Sequence, residues 1–319
     1  MRTRTALALA LGLTSGCALA HTRGEGDGSV VTVGGSGGTG ASSFLAVDGA
    51  HAFFLDREAR AARLVALGPQ RSAMRSLATA DPYVYPWVAS EGGAFYWLEV
   101  RSGGLSVVGA RTDVPAHLVA QGDVGPVGMT VADGHVYFGR QSSREGRIDL
   151  LEVDVATGSE RVLTDCAGIL GIALDEDTLF ATTCRAAGGV WSVPRAGGRP
   201  TPIAESTFCP FTIALDDTRV FYIDTFGDDA GGFAVMAVPK EGGTPERLTH
   251  SDGLAFAVHE GSLFALDGGA LVEIALDGSG RRVRVPHVEG GVGVAADGAH
   301  VYYTARTLEG GLRLYTVDR

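Results

Sequence analysis

The sequence predicts an all-β protein with the fold of a seven-bladed β-propeller, built from four-stranded antiparallel blades. Three observations lead to this prediction: 47 glycines in 319 residues, a recurring aromatic position, and a repeat length of 38 to 43 residues. Each interior glycine costs a helix about 1 kcal/mol, whereas tight turns between strands use glycine readily. A period of about 40 to 45 residues is typical of a four-stranded propeller blade.

The repeat begins with a short apolar strand, an acidic or glycine turn, and a second strand that carries an aromatic residue. Examples are "MTVADGHVYFGR" at 129–140 and "TIALDDTRVFYID" at 212–224. We call the recurring aromatic residues the anchors, and we expect them to be buried between neighbouring blades. The anchors are Phe53, Phe95, Tyr137, Phe180, Phe221, Phe264 and Tyr302.

Each copy continues with a third strand and a more polar outer strand. "GVWSVP" and "AVMAVP" are predicted third strands, and the doubled glycines in "VPRAGGRP" and "VPKEGGTP" predict the turn into the outer strand. The last copy reaches only its third strand, so we expect "SVVTV" at 29–33 to complete the last blade and close the ring. The predicted propeller domain therefore spans 29–319.

Residues 1–20 have the form of an export signal, with basic residues, the apolar run "ALALALGL" and then small residues. "LTSGC" at 13–17 favours lipoprotein cleavage and acylation of Cys17, while "ALA" at 18–20 fits ordinary signal peptidase. We favour the first, with 21–28 as a flexible tether. The protein is then expected in the periplasm or on the outer membrane, with the lipid anchor as its membrane contact.

The formal net charge of −11 disfavours nucleic acid as a partner, because an acidic surface repels phosphate backbones. Nothing in the repeat predicts self-association, so a monomer is expected.

The aromatic pairs in "FYWLE", "FYIDT" and "VYYTA", together with "VPxxGGxP", resemble the repeats of exported bacterial propellers of the TolB-like and YWTD-like superfamily. The resemblance implies the propeller fold and an exported, lipoprotein-type location. It carries over no catalytic residue, since propellers support many unrelated functions.

Loops that join a fourth strand to the next first strand share one face of a propeller with the second-to-third loops, and we call it the long-loop face. The short first-to-second turns lie on the opposite, short-turn face. Acids on the long-loop face would suit a hard cation or a basic peptide segment, although turn acids are also common simply because they bond the local backbone. Its three clustered aromatics form either a recognition surface or packing between blades. The candidate binding residues are Asp81, Tyr83, Tyr85, Trp87, Asp123, Asp165, His250, Asp252 and Glu289.

Known catalytic propeller sites do not fit the sequence. The chain has no asparagine for a gluconolactonase-like metal site, and no Ser-x-Asp-x-Gly-x-x-Trp box of the sialidase type. His250 and His287 are the histidines in long-loop segments, and two histidines without a third ligand at definite spacing are weak grounds for zinc. We therefore expect no catalytic residues, no metal site and no cofactor.

The cysteines beyond Cys17 are Cys166, Cys184 and Cys209. In an oxidising compartment one pair should be bridged. The strand order favours Cys184 with Cys209, and Cys184 with Cys166 is the alternative.

These observations favour a non-catalytic scaffold that binds a protein or peptide partner at the cell envelope. The alternative is a metal-assisted hydrolase or lyase that uses the long-loop carboxylates.

Overall fold

A computed structural model describes residues 45–48, 51–56, 61–66, 75–78, 84–101, 104–111, 117–122, 128–142, 147–166, 168–184, 188–206, 209–225, 232–306 and 312–319. The signal segment, the tether and the predicted strand at 29–33 lie outside the described residues.

The described residues form antiparallel sheets whose strands follow one another in chain order. Blade 1 contains β1 (Leu45–Asp48), β2 (His51–Asp56), β3 (Ala61–Ala66) and β4 (Arg75–Ala78). Blade 2 contains β5 (Val84–Glu91), β6 (Ala94–Arg101), β7 (Gly104–Arg111) and β8 (His117–Gly122). Blade 3 contains β9 (Met129–Ala132), β10 (His135–Gln141), β11 (Ile148–Asp154) and β12 (Glu160–Cys166).

Blade 4 contains β13 (Ile169–Leu174), β14 (Thr178–Thr183), β15 (Gly189–Pro194) and β16 (Thr201–Glu205). Blade 5 contains β17 (Ile213–Leu215), β18 (Arg219–Thr225), β19 (Phe233–Pro239) and β20 (Glu246–Ser251). Blade 6 contains β21 (Phe256–His259), β22 (Ser262–Asp267), β23 (Ala270–Ala275) and β24 (Arg281–Val285). A three-stranded sheet contains β25 (Gly291–Ala296), β26 (His300–Arg306) and β27 (Leu312–Asp318).

The prediction of seven four-stranded blades is wrong, because the described residues form six four-stranded blades and one sheet of three strands. The sequence period counts copies of the first hairpin, and among the described residues the last copy contributes three strands, β25, β26 and β27. The all-β propeller of four-stranded antiparallel blades is otherwise confirmed.

The anchors occupy the second strands and form the core between sheets. Each anchor is at most 3% exposed. Phe53 stacks on Phe95, with ring centres 5.4 Å apart, so it joins blade 1 to blade 2. Burying a side chain of this size contributes roughly 1.5 to 3 kcal/mol, so the anchors are a large part of what holds neighbouring sheets together.

The ring closes through side-chain packing between the three-stranded sheet and blade 1. Leu45 and Phe54 of blade 1 share one buried cluster with Tyr302 and Leu314. The first strands β1 and β25 are also in contact. Closure among the described residues therefore depends on this apolar contact, and the predicted closure by an added strand is not part of it.

The doubled glycines lie in hairpins between third and outer strands, as the sequence predicts. The Gly198 N–H donates to the Leu163 carbonyl of blade 3 at 3.0 Å, and the Gly243 N–H donates to the Ile203 carbonyl of blade 4 at 3.2 Å. A Cβ at Gly197 would lie 3.0 Å from the same Leu163 oxygen. Each hairpin is therefore fastened to the outer strand of the preceding blade on the short-turn face.

Candidate functional site

The long-loop face is described in part. Asp81, Tyr83 and Asp123 lie outside the described residues. Tyr85 lies in β5, and its backbone alone is described. Cys17 also lies outside the described residues, so the predicted lipidation site stays a prediction.

The best-described polar cluster on this face lies where blade 5 meets blade 6, and we call it the blade 5–6 seam. His250 Nδ1 lies 3.6 Å from Asp267 Oδ1 and 3.9 Å from Asp252 Oδ1. Asp252 Oδ2 accepts the Gly269 backbone N–H at 2.6 Å, and Asp267 Oδ2 accepts the Thr249 hydroxyl at 2.8 Å. The end of β20 is thereby fixed against the turn that follows β22.

Two carboxylates and one half-exposed imidazole give the seam an excess of hydrogen-bond acceptors. The side chains of His250 and Asp252 are 44% and 37% exposed, and that of Asp267 is 19% exposed. Arg281 Nη2 donates to Asp267 Oδ2 at 3.0 Å and neutralises part of the charge. A Cβ at Gly232 would lie 2.9 Å from His250 Nε2, so a larger residue there would displace the imidazole.

A second carboxylate lies where blade 4 meets blade 5. The Ser206 hydroxyl lies 2.7 Å from Asp224 Oδ2, and the Thr225 N–H donates to Asp224 Oδ1 at 2.9 Å. Burial raises the pKa of Asp224 above its usual range, although these hydrogen bonds lower it in part. Burial and the nearby Asp224 carboxylate also raise the pKa of Tyr222.

The repeat explains why Asp224 lacks a cation. In blade 6, Asp267 at the end of the second strand pairs diagonally across the sheet with Arg281 at the start of the outer strand. Blade 3 has the same pair with the charges exchanged, since Arg140 Nη1 lies 2.7 Å from Glu160 Oε2. In blade 5 the second-strand residue is Asp224, and the outer-strand position in register with Arg281 and Glu160 is Pro245, which carries no charge.

A disulfide joins Cys184 to Cys209, with their Cα atoms 4.4 Å apart. This is the pair that the strand order favours. Cys184 directly follows β14 and Cys209 lies in the loop that enters β17, so the bridge fastens blade 4 to the start of blade 5.

Two of the remaining described candidates, Trp87 and Asp165, are separated from the blade 5–6 seam along the ring. Trp87 is 7% exposed and packs with Tyr96 and Met129 between blades 2 and 3, which is the position expected of inter-blade packing. Asp165 Oδ2 lies 3.1 Å from Arg147 Nε within blade 3. Glu289 is exposed in the turn before β25. Of the predicted binding residues that are described, His250 and Asp252 are brought together.

The short-turn face is occupied by ion pairs between neighbouring sheets, which we call the clamps. In each clamp, a cation that follows a third strand reaches a carboxylate in the first turn of the preceding blade. Arg195 Nη1 lies 2.7 Å from Asp133 Oδ2, and its guanidinium lies 5.6 Å from the centre of the Tyr137 ring. Two further clamps are Lys240 with Asp175 and Arg319 with Glu260.

Sequence analysis missed Asp224, Asp267 and the clamps. Asp224 and Asp267 both lie three residues after an anchor, Phe221 and Phe264 respectively. Since the anchor fixes the register of the second strand, that offset could have identified both carboxylates as neighbours of the long-loop face.

Within the described ranges, no group of three or more His, Cys, Asp or Glu side chains is arranged to hold a metal ion. The same ranges contain no helix long and apolar enough to cross a bilayer.

No protein-family model matches the sequence. Hydrazine synthase from Kuenenia stuttgartiensis is 15% identical with a TM-score of 0.65, and the match covers 93% of this chain and 99% of that one. An oligogalacturonate lyase in complex with manganese is 10% identical with a TM-score of 0.54, over 81% and 82% of the two chains. TolB from Acinetobacter baumannii is 10% identical with a TM-score of 0.50, over 90% and 65%.

These similar structures include enzymes and a TolB protein, so the likeness does not choose between catalysis and binding. At such low identity it shows the β-propeller fold, which is compatible with many functions. The chain is a β-propeller, and its function has to be argued from the seams of its long-loop face.

Proposed function

We propose that the protein is a non-catalytic scaffold that binds a basic segment of an envelope protein or peptide through its long-loop face. The blade 5–6 seam carries this proposal. Asp252 and Asp267 flank a half-exposed His250, and Asp252 is open to solvent. Lysine, arginine or an N-terminal amine supplies the donors that such carboxylates accept.

The contrast between the two faces supports the choice of the long-loop face. On the short-turn face, the Asp133 and Asp175 carboxylates are already paired with cations of the following blades. A partner would have to break these pairs before it could use the same acids. At the blade 5–6 seam, the carboxylates have one arginine, Arg281, between them.

The test compares two double variants that remove equal charge. Tagged wild-type protein, Asp252→Asn/Asp267→Asn and Asp217→Asn/Glu241→Gln are each incubated with envelope extract, and bound proteins are quantified by mass spectrometry. Asp217 and Glu241 are exposed on the short-turn face of blade 5 and serve as the control. We expect a saturable partner whose capture falls at least about tenfold with the seam variant and is retained by the control.

The same partner retained by the seam variant, or lost equally from both variants, would contradict the proposal. Thermal unfolding of each variant separates loss of binding from loss of fold, because Asp267 also accepts hydrogen bonds from Thr249 and Arg281.

We also propose that residues 1–20 direct export and that Cys17 carries the lipid. Cys17→Ser is then expected to move the protein from the membrane pellet to the soluble fraction. Mass spectrometry of the mature N-terminus distinguishes the two cleavage sites, since ordinary signal peptidase would leave His21 first. An unmodified N-terminus at His21 would contradict lipidation.

A further inference from the structure

The outer strand of blade 6, β24, is the most exposed of the outer strands whose side chains are largely described. Its residues Arg281, Arg282 and Val283 are exposed, and none of its five residues is buried. By contrast, β12, β16 and β20 each contain a buried residue, namely Leu163, Ile203 and Thr249. Val283 is 48% exposed, and among the described large apolar side chains Val162 of β12, at 53%, is also exposed.

Two other outer strands, β12 and β16, have a protection that β24 lacks. At the register irregularity of each, the Leu163 or Ile203 carbonyl accepts a glycine N–H from the following blade. Pro202 also interrupts the row of donors in β16. In β24 the residue at the register irregularity is Arg284, and its guanidinium pairs with Glu273 at 2.5 Å. Within the described ranges, β24 is the last strand of its sheet.

The charges of β24 select the kind of strand that could pair with it. Arg281 is paired with Asp267 and Arg284 with Glu273. Arg282 makes no hydrogen-bonded ion pair with a described residue. Three arginines in five positions disfavour pairing with the same strand of a second copy, because like charges on paired strands repel.

Alternation along the strand adds a second requirement. Arg282 lies opposite Glu273 and Val283 lies opposite Val272, so they point to opposite sides of the sheet. A strand that pairs with β24 would therefore place an acidic side chain beside Arg282 and an apolar one beside Val283.

We propose that β24 is a docking edge for an extended, acidic segment of a partner protein, which joins blade 6 as an added strand with alternating acidic and apolar side chains. Backbone hydrogen bonds supply affinity in this mode of recognition, and the side-chain alternation supplies specificity. The site lies on the rim of the propeller and does not depend on the long-loop face.

The test uses two labelled peptides of equal charge, Glu-Val-Glu-Val-Glu-Val-Glu and Glu-Pro-Glu-Pro-Glu-Pro-Glu, with fluorescence anisotropy as the measurement. We expect saturable binding of the valine peptide to the full chain and none of the proline peptide, which cannot form the strand pairing. Arg282→Glu should weaken binding at least about tenfold, and Arg282→Gln by less. Arg199→Glu, at an exposed arginine in the outer hairpin of blade 4, should leave the affinity unchanged.

Four results would overturn the proposal. Equal binding of the two peptides would mean attraction by charge without strand pairing. An equal effect of Arg199→Glu would mean that no particular edge is used. Binding of phosphatidylglycerol vesicles to the wild type but not to Arg282→Glu would assign the edge to a lipid surface. A dimer that light scattering detects and that Arg282→Glu dissociates would assign the edge to a second copy.

Discussion

Asp224 is a carboxylate whose environment disfavours its charged form. Burial raises its pKa, and the position in register with Arg281, the partner of Asp267 in blade 6, is here Pro245, which carries no charge. The folded protein therefore binds this proton more readily than the unfolded chain does. The resulting contribution to stability is present below the unfolded pKa of about 3.9 and is lost as pH rises through the folded pKa.

Asp224→Asn should stabilise the protein at pH 7, because the amide keeps an acceptor for the Ser206 hydroxyl and carries no charge. We expect a gain of a few tenths to about 1 kcal/mol in the free energy of unfolding by urea, and a smaller gain at pH 4. A variant less stable than the wild type at pH 7 would show that the carboxylate hydrogen bonds outweigh the cost of burial.

His259 should make the protein less stable in mild acid. Burial and the guanidinium of Arg319 lower its pKa, against the opposing effects of the Glu260 and Asp297 carboxylates. Stability is then full above the unfolded pKa of about 6.5 and falls as pH drops below it, by at most about 1.4 kcal/mol per pH unit from this group.

We expect His259→Gln to flatten the loss of stability between pH 7.5 and 5.5, measured by urea unfolding. His287→Gln is the matched control, since His287 is exposed. If the loss of stability with falling pH is unchanged in His259→Gln, or changes equally in both variants, other groups cause that loss.

At the scale of strands, the diagonal ion pairs of blades 3 and 6 predict a substitution that stabilises blade 5. Pro245→Arg should give Asp224 the partner that Asp267 has in Arg281, because Pro245 is in register with Arg281. Because the new pair would be partly exposed, we expect about 0.5 to 1 kcal/mol, screened by salt. Pro245→Gln separates removal of the proline from formation of a pair, and equal gains from both variants would mean that no pair forms.

The hairpin glycines provide a comparison of two positions with similar backbone conformation. Gly197 has φ of +91° and its Cβ would meet the Leu163 oxygen at 3.0 Å, whereas Gly278 has φ of +80° and no atom within 4 Å. Both Gly→Ala changes carry the left-handed cost of roughly 1 to 2 kcal/mol. We expect Gly197→Ala to cost about 1 kcal/mol more in thermal unfolding. Equal losses would mean that the neighbouring blade moves away freely.

The strands and anchors could be predicted from the sequence because burial imposes a period on it. Phe53 and Tyr302 can be recognised because each lies in an apolar stretch that follows a turn. The diagonal pair of Asp267 with Arg281 could not be predicted, since the two residues approach each other only through the twist of the sheet. The number of strands described in the last sheet was also predicted wrongly, because the repeat length of the sequence counts hairpins and not the strands that pair with them.

At the scale of the whole molecule, apolar clusters run from each sheet to the next. The cluster of Leu45, Phe54, Tyr302 and Leu314 joins the three-stranded sheet to blade 1, so the clusters form a continuous ring. A ring of this kind gives no blade a free side from which to unfold first. We therefore expect one cooperative unfolding transition rather than stepwise loss of blades.

Removal of the Cys184–Cys209 disulfide tests whether unfolding remains cooperative without this local cross-link. The bridge closes a loop with a sequence separation of 25, for which restriction of the unfolded chain predicts about 3 to 4 kcal/mol. Cys184→Ser/Cys209→Ser should lower the free energy of unfolding by about that amount while calorimetry still shows a single transition. Cys166→Ser, which leaves the bridge intact, is the control. Two separated transitions in the double variant would mean that the bridge, and not the ring of clusters, couples blades 4 and 5.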